Sequence, residues 1–105
     1  MAAVIERRAL APGAYTLVHT VADGKSFAGV LTLANGNGTG PAALCRIAVT
    51  AGAAPVQGDH INVDTPVPIK GGVLARGLPG LPAGSRIYAR AHIANVECVL
   101  TGEEA

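Results

Sequence analysis

The chain has no tryptophan, one phenylalanine and two tyrosines in 105 residues. A core must therefore be assembled from Val, Leu, Ile and Ala, with Phe27, Tyr15 and Tyr88 as the only large rings. Such a core is thin, because Ala and Gly remove little area from water at about 25 cal/mol per Å². The same scarcity counts against a host-surface carbohydrate-binding module, which needs exposed aromatic platforms. Charge is scarce too: charged residues are 14% of the chain and the net charge is +1. A basic stripe of the kind that neutralises phosphates is missing, which argues against nucleic acid as a partner. Low charge with many small apolar residues suits a subunit whose neighbours complete its burial. An Ala- and Gly-rich coding bias would leave the same imprint.

Other absences narrow the chemistry. The N-terminal MAAVIERRAL lacks the long apolar core of a signal peptide, and no run approaches the ~20 apolar residues of a membrane-spanning helix. The three histidines, His19, His60 and His92, have no i,i+4 spacing, and Cys45 and Cys98 belong to no Cys-x-x-Cys pair. Both cysteines fall on inward strand positions and read as small buried hydrophobes. Ser26 and Ser85 follow turns but sit in no Gly-x-Ser-x-Gly elbow. The glycines of Asn35-Gly36-Asn37-Gly38-Thr39-Gly40 are followed by Pro41 and a strand, not by Lys-Ser/Thr and a helix, so they are no phosphate cradle. These patterns lead us to expect no catalytic residue, no cofactor and no metal.

What is present is alternation. From Ser26 to Thr50 two strand patterns flank the Asn35–Pro41 loop. Phe27, Leu31 and Leu33 share one parity of the first arm, and Cys45, Ile47 and Val49 share one parity of the second. The loop is too long for a two-residue hairpin turn; it either closes a hairpin or carries the chain to a second sheet. Ala14 to Val21 reads as a strand before the Asp23-Gly24-Lys25 turn. Asp59 to Val63 is a short strand. Asp64 to Ile69 is extended through Pro66 and Pro68 and suits a sheet edge. Val73 to Arg76 is a short strand, and Gly77 to Gly84 reads as an irregular lid with its leucines on the core. Arg86 to Ala91 turns Ile87, Ala89 and Ala91 inward and Arg86, Tyr88 and Arg90 outward. Val96, Cys98 and Leu100 point inward on the last strand, before a polar tail. With no long helical pattern, the fold class is all-β: one small antiparallel sandwich of about seven or eight strands, Ig-like or jelly-roll-like. Residues 1–12 form an N-terminal arm or edge strand, and 13–105 the sandwich.

Two groups of residues are candidates for protein contacts. Val4, Ile5, Arg7, Arg8 and Leu10 lie on the arm. Arg86, Tyr88 and Arg90 form an outward stripe, and Arg and Tyr are favoured at interfaces because they join apolar area to hydrogen bonding. A solvated sheet face would carry the same stripe.

Read in order, several pieces resemble a family of small β-sandwich virion structural proteins of tailed bacteriophages. They are Tyr15-Thr16, Asp23-Gly24-Lys25, Leu31 to Asn35, Arg46-Ile47-Ala48-Val49, Asp64-Thr65-Pro66-Val67-Pro68, Leu81-Pro82-Ala83-Gly84 and Ile87-Tyr88-Ala89. The chain departs from the family in its Asn35–Pro41 loop and its Gly-Leu-Pro-Gly-Leu-Pro run. The resemblance implies a non-enzymatic structural role on a virus particle assembled in the host cytoplasm, as a capsid decoration (cement) protein or as a tail, baseplate or fibre-attachment subunit. It further implies the major capsid protein or other virion subunits as partners, and a homo-oligomer, with three-fold symmetry favoured.

Overall fold

The computed structural model describes residues 2–52 and 54–105. Among them the chain forms eight strands: β1 (Ala2–Ala9), β2 (Thr16–Thr20), β3 (Ser26–Asn35), β4 (Ala43–Thr50), β5 (His60–Val67), β6 (Val73–Pro82), β7 (Arg86–Ala91) and β8 (Val96–Glu104). A single 3-10 turn, Gln57–Asp59, precedes β5. Two four-stranded antiparallel sheets result, β1-β8-β3-β6 and β2-β7-β4-β5. They pack as a β-sandwich. Of the consecutive strands only β4 and β5 pair with each other; every other connection crosses from one sheet to the other.

Alternation places the core. Phe27, Leu31 and Leu33 of β3, Ile87, Ala89 and Ala91 of β7, and Val96, Cys98 and Leu100 of β8 are all buried between the sheets. On β4 the inward row is Ala43, Cys45, Ile47 and Val49, the last only half-buried. Cys45 and Cys98 are free thiols in opposite sheets. Burial pushes the Cys45 thiol up to about 11 and raises that of Cys98, so neither is a ready nucleophile.

At one end of the sandwich the lone phenylalanine does the work of three side chains. Gly29 and Gly102 are partners across β3 and β8, and a Cβ on either would stand 2.7 Å from the tip of the Phe27 ring. The glycines leave a gap that the ring fills. His19 of β2 packs on the same ring, centroid to centroid 5.4 Å, and its Nε2–H donates to Glu104 Oε1 on β8 at 2.9 Å. That bond ties the two sheets together. The His19 contact holds the Glu104 carboxyl below the usual carboxylate value.

The Asn35–Pro41 loop crosses between the sheets. Asn35, fully buried, donates from Nδ2 to the Val67 carbonyl at 3.1 Å and accepts the Asn37 main-chain and side-chain N–H groups on Oδ1 at 3.0 and 2.9 Å. Asn37 also donates to the Ala94 carbonyl, and Asn95 donates to Asn37 Oδ1. Three asparagines thus pin three loops at this end, which satisfies a buried amide that would otherwise be costly.

Several boundaries differ from the sequence expectations. The Gly77–Pro82 run is not an irregular lid but the second half of β6, paired with β3. β6 is an edge strand, where proline gives up no ladder bond if its nitrogen faces outward. The register shifts between Phe27 and Gly29, and Gly80 sits at φ 59° to absorb it. Leu78 and Leu81 do pack on the core. The stretches 59–63 and 64–69 merge into one edge strand, β5, kinked at Asp64 with φ 47°. The polar tail is part of β8, reaching Glu104. β2 is shorter than the expected strand and shifts register between Leu17 and His19, which lets both Val18 and Val21 reach the core.

Candidate interaction surfaces

The two groups of candidate contact residues lie on opposite sheets. Val4, Ile5, Arg7 and Arg8 are on β1, which is an edge strand of the first sheet. Leu10 is 4% exposed and belongs to the chain's own core, with Val4 packed against it. Arg8 reaches across the open side of the sandwich: its Nη2 donates to the Val18 carbonyl on β2 at 3.4 Å and meets Glu6 Oε2 at 2.8 Å. Ile5, at 64% exposed, and Arg7 face outward.

Registry puts Ile5 in a row that crosses the whole first sheet. Ile5 opposes Thr101, Thr101 opposes Val30, and Val30 opposes Gly77. The next rows are Arg7, Val99, Thr32 and Ala75, then Ala9, Glu97, Ala34 and Val73. Apart from Arg7 and Glu97 these rows are made of small or β-branched side chains, with Ile5, Val30 and Val73 well exposed.

Arg86, Tyr88 and Arg90 stand on the outer face of the other sheet, on central strand β7, each half-buried. The structure brings four further residues beside them: Tyr15, Arg46, His60 and Asp64. Arg46 of β4 lies directly opposite Arg90, two like charges in one cross-strand pair. Each has its own answer. Arg46 makes a two-pronged bond to Asp64, at 2.8 and 3.1 Å, from the kink of β5. The Arg90 guanidinium sits over the Tyr15 ring, 5.6 Å from its centroid, in a cation–π contact. The Tyr15 hydroxyl meets His60 Nε2 and accepts from Arg46 Nη1 at 3.5 Å, and its ring stands edge-to-face with Tyr88. Beneath them Ala48, opposed to both Tyr88 and His60, is buried although its partner on β7 points outward. The guanidinium of Arg46 holds the Asp64 carboxyl below its usual value, with Arg90 and His92 contributing, and Arg46 is itself held more firmly protonated by Asp64.

A shallow groove of about 500 Å³ runs beside this network, lined by Tyr15, Arg46, Val56, Gln57, His60 and Val63. Its polar groups are mostly spent on one another. Among the described residues no three of His, Cys, Asp and Glu gather where a metal could bind, and no helix is long and apolar enough to cross a membrane. Nothing in local sequence marks the Tyr15–Arg46–His60–Asp64 cluster, because its members come from three separate segments: the approach to β2, β4 and β5. Comparison with protein-family models, with curated proteins and with solved structures finds no match for this chain.

Proposed function

We propose that the chain is a structural subunit of a tailed-bacteriophage virion, a capsid decoration protein without an enzymatic centre. The observation that carries the reading is the outer face of the first sheet, whose mostly small side chains form no polar network and leave Ile5, Val30 and Val73 well exposed beside an open edge. A shell-stabilising subunit works by burying such area against its neighbours only once assembled, and so shifts the shell's stability by mass action. The motifs that resemble the phage family fit this role: Asp23-Gly24 makes a turn, Asp64 to Val67 an edge strand, and Leu81 to Gly84 the bend between β6 and β7. The partners in this reading are the major capsid protein and further copies of the chain, and the place is the virion, assembled in the host cytoplasm.

The test is reconstitution. Purified chain is added to particles that lack it, and bound copies and the temperature of genome release are measured. Many copies per particle with a higher release temperature support a decoration protein. A few copies at one vertex move it to the tail, and no binding removes the virion role.

A further inference from the structure

We propose that β1 is a docking edge for a second copy of this chain, which joins β1 to β1 about a two-fold axis through Ile5 and makes one continuous eight-stranded sheet. The inference rests on the subunit reading above in one respect: it names the neighbour at this edge.

The four sheet edges are not equivalent. β2 has five residues and a register shift, and Arg8 bonds the Val18 carbonyl from outside. β5 carries Pro66, two register shifts and the left-handed Asp64. β6 carries Pro79, Pro82, a register shift and the left-handed Gly80. Kinks, prolines and bulges of this kind keep an edge strand from pairing. β1, Ala-Ala-Val-Ile-Glu-Arg-Arg-Ala, has none of them: no proline, no glycine, no positive φ, and an unbroken register with β8 from Ala2 to Ala9.

The direction of its free main-chain groups follows from one bond. Leu10 N–H donates to the Val96 carbonyl at 2.9 Å, in line with the β1–β8 register. In an antiparallel ladder alternate residues face the partner, so the even-numbered residues of β1 bond β8. Ala3, Ile5, Arg7 and Ala9 therefore turn their N–H and C=O groups outward. The one outward group with a bond is the Arg7 carbonyl, which accepts from its neighbour Arg8 at 2.8 Å in an exposed contact. An incoming strand replaces that contact with a ladder bond.

Charge and ladder length select the register. A two-fold pairing through these groups can centre on Val4, on Ile5, on Glu6 or on Arg7. Centring on Val4 opposes no like charges but pairs only residues 2–6 of β1, a shorter ladder. Centring on Glu6 opposes two glutamates, and centring on Arg7 opposes two arginines, both unfavourable. Centring on Ile5 sets Ile5 against Ile5 on the axis, Ala3 against Arg7, Val4 against Glu6 and Ala2 against Arg8, with no like charges opposed. It forms about six main-chain hydrogen bonds and sets the two Ile5 side chains, each otherwise 64% exposed, against one another on the outer face. Strand addition of this kind draws affinity from the ladder and specificity from the alternate side chains.

The experiment is sedimentation velocity on the full chain and two variants. Ile5→Lys puts like charges on the axis. Ile5→Pro removes an N–H that faces away from β8, so it blocks the edge while leaving the internal ladder whole. The expected result is a two-copy species for the native chain and a one-copy species for both variants at the same concentration, with thermal unfolding retained. Ile5→Cys is expected to form a disulfide-linked pair on mild oxidation, and Val30→Cys, on the same face but away from the edge, is not. A native chain that runs as one copy overturns the proposal. So does an oligomer, three-fold or otherwise, that survives in Ile5→Lys and leaves Ile5→Cys unlinked. A one-copy chain that still occupies particles defeats this pairing and spares the virion reading; a two-copy chain that binds no particle does the reverse.

Discussion

The two sheets share a core but present opposite outer faces. That of β1-β8-β3-β6 is mostly small side chains with Arg7, Glu97 and Glu103 among them, and leaves Ile5, Val30 and Val73 open to solvent, as the other sheet leaves Leu17, Leu44 and Val63. That of β2-β7-β4-β5 carries both tyrosines, Arg46, Arg90, His60 and Asp64, bonded to one another. The polar groups of the second face are mostly spent on one another; the first face has no such network and is unspent. A polar layer bonded largely within itself, with only Arg90 Nε of its buried atoms unpartnered, covers Ala48 and adds a second small layer outside the core. The outer face of the first sheet, mostly Ala, Val and Thr with isolated charges at Arg7, Glu97 and Glu103, adds no such layer. One sheet thus has its outer polar groups tied up by its own side chains, and the other has no such network.

What the two halves share should be hardest to lose. Phe27→Ala removes the ring that fills the gap over Gly29 and Gly102 and supports His19. The expected cost is about 3–5 kcal/mol, the usual range for emptying a buried phenylalanine site. Urea unfolding should show it as a large fall in midpoint with both sheets melting together. A cost near that of a surface change would mean the ring is not the plug we describe.

Much of this core was legible in the sequence because strands keep a strict period of two. β7 and β8 alternate as expected from Arg86 to Leu100, and the inward parity of β3 and β4 is that of the structure. The Gly77–Pro82 run was misleading, since proline and glycine punctuate loops in most settings and only knowledge that β6 is an edge makes them tolerable in a strand. The length of the Asn35–Pro41 loop alone does not say which sheet the next strand joins. The outward Arg86–Tyr88–Arg90 stripe follows from alternation, but its partners do not, because bringing Arg46 beside Arg90 requires the strand order β2-β7-β4-β5, which no local pattern encodes. Deleting the arm, an obvious probe from sequence, is a poor one: Leu10 belongs to the core and β1 covers the edge of β8.

Next in size comes the asparagine knot. Asn35→Ala removes a buried donor to Val67 and the acceptor of two Asn37 groups, leaving those partners without bonds. A loss of about 1–3 kcal/mol is expected. Because the knot joins loops of both sheets, hydrogen exchange should rise at the Asn35–Pro41 loop and at the turn before β8 together; exchange confined to one loop would separate them.

The faces themselves are compared by a matched pair. Tyr15→Phe keeps the ring under Arg90 but removes the hydroxyl bonded to His60 and Arg46, at a cost of about 1 kcal/mol. Val30→Thr on the outer face of the first sheet changes a half-open side chain with no polar partner and should stay within about 0.5 kcal/mol. Equal effects in thermal or urea unfolding would erase the distinction between a spent face and an unspent one.

The smallest effect is in acid. Glu104 and Asp64 are both held below their ordinary values of 4.5 and 3.8, the first by His19 and the second by Arg46. A carboxyl whose native pKa is depressed favours the folded chain above its ordinary pKa, and that contribution fades as pH falls toward the native value. The melting temperature should therefore drop on acidification below about pH 5. Glu104→Gln should flatten that limb more than Asp64→Asn does. The Glu104 side chain is 15% exposed and bridges two sheets, whereas that of Asp64 is 49% exposed, where water and salt stand in for Arg46. Added salt should shrink the Asp64 share first. If instead Asp64→Asn flattens the limb more, the polar outer face is a larger stabiliser than the His19–Glu104 link between the layers.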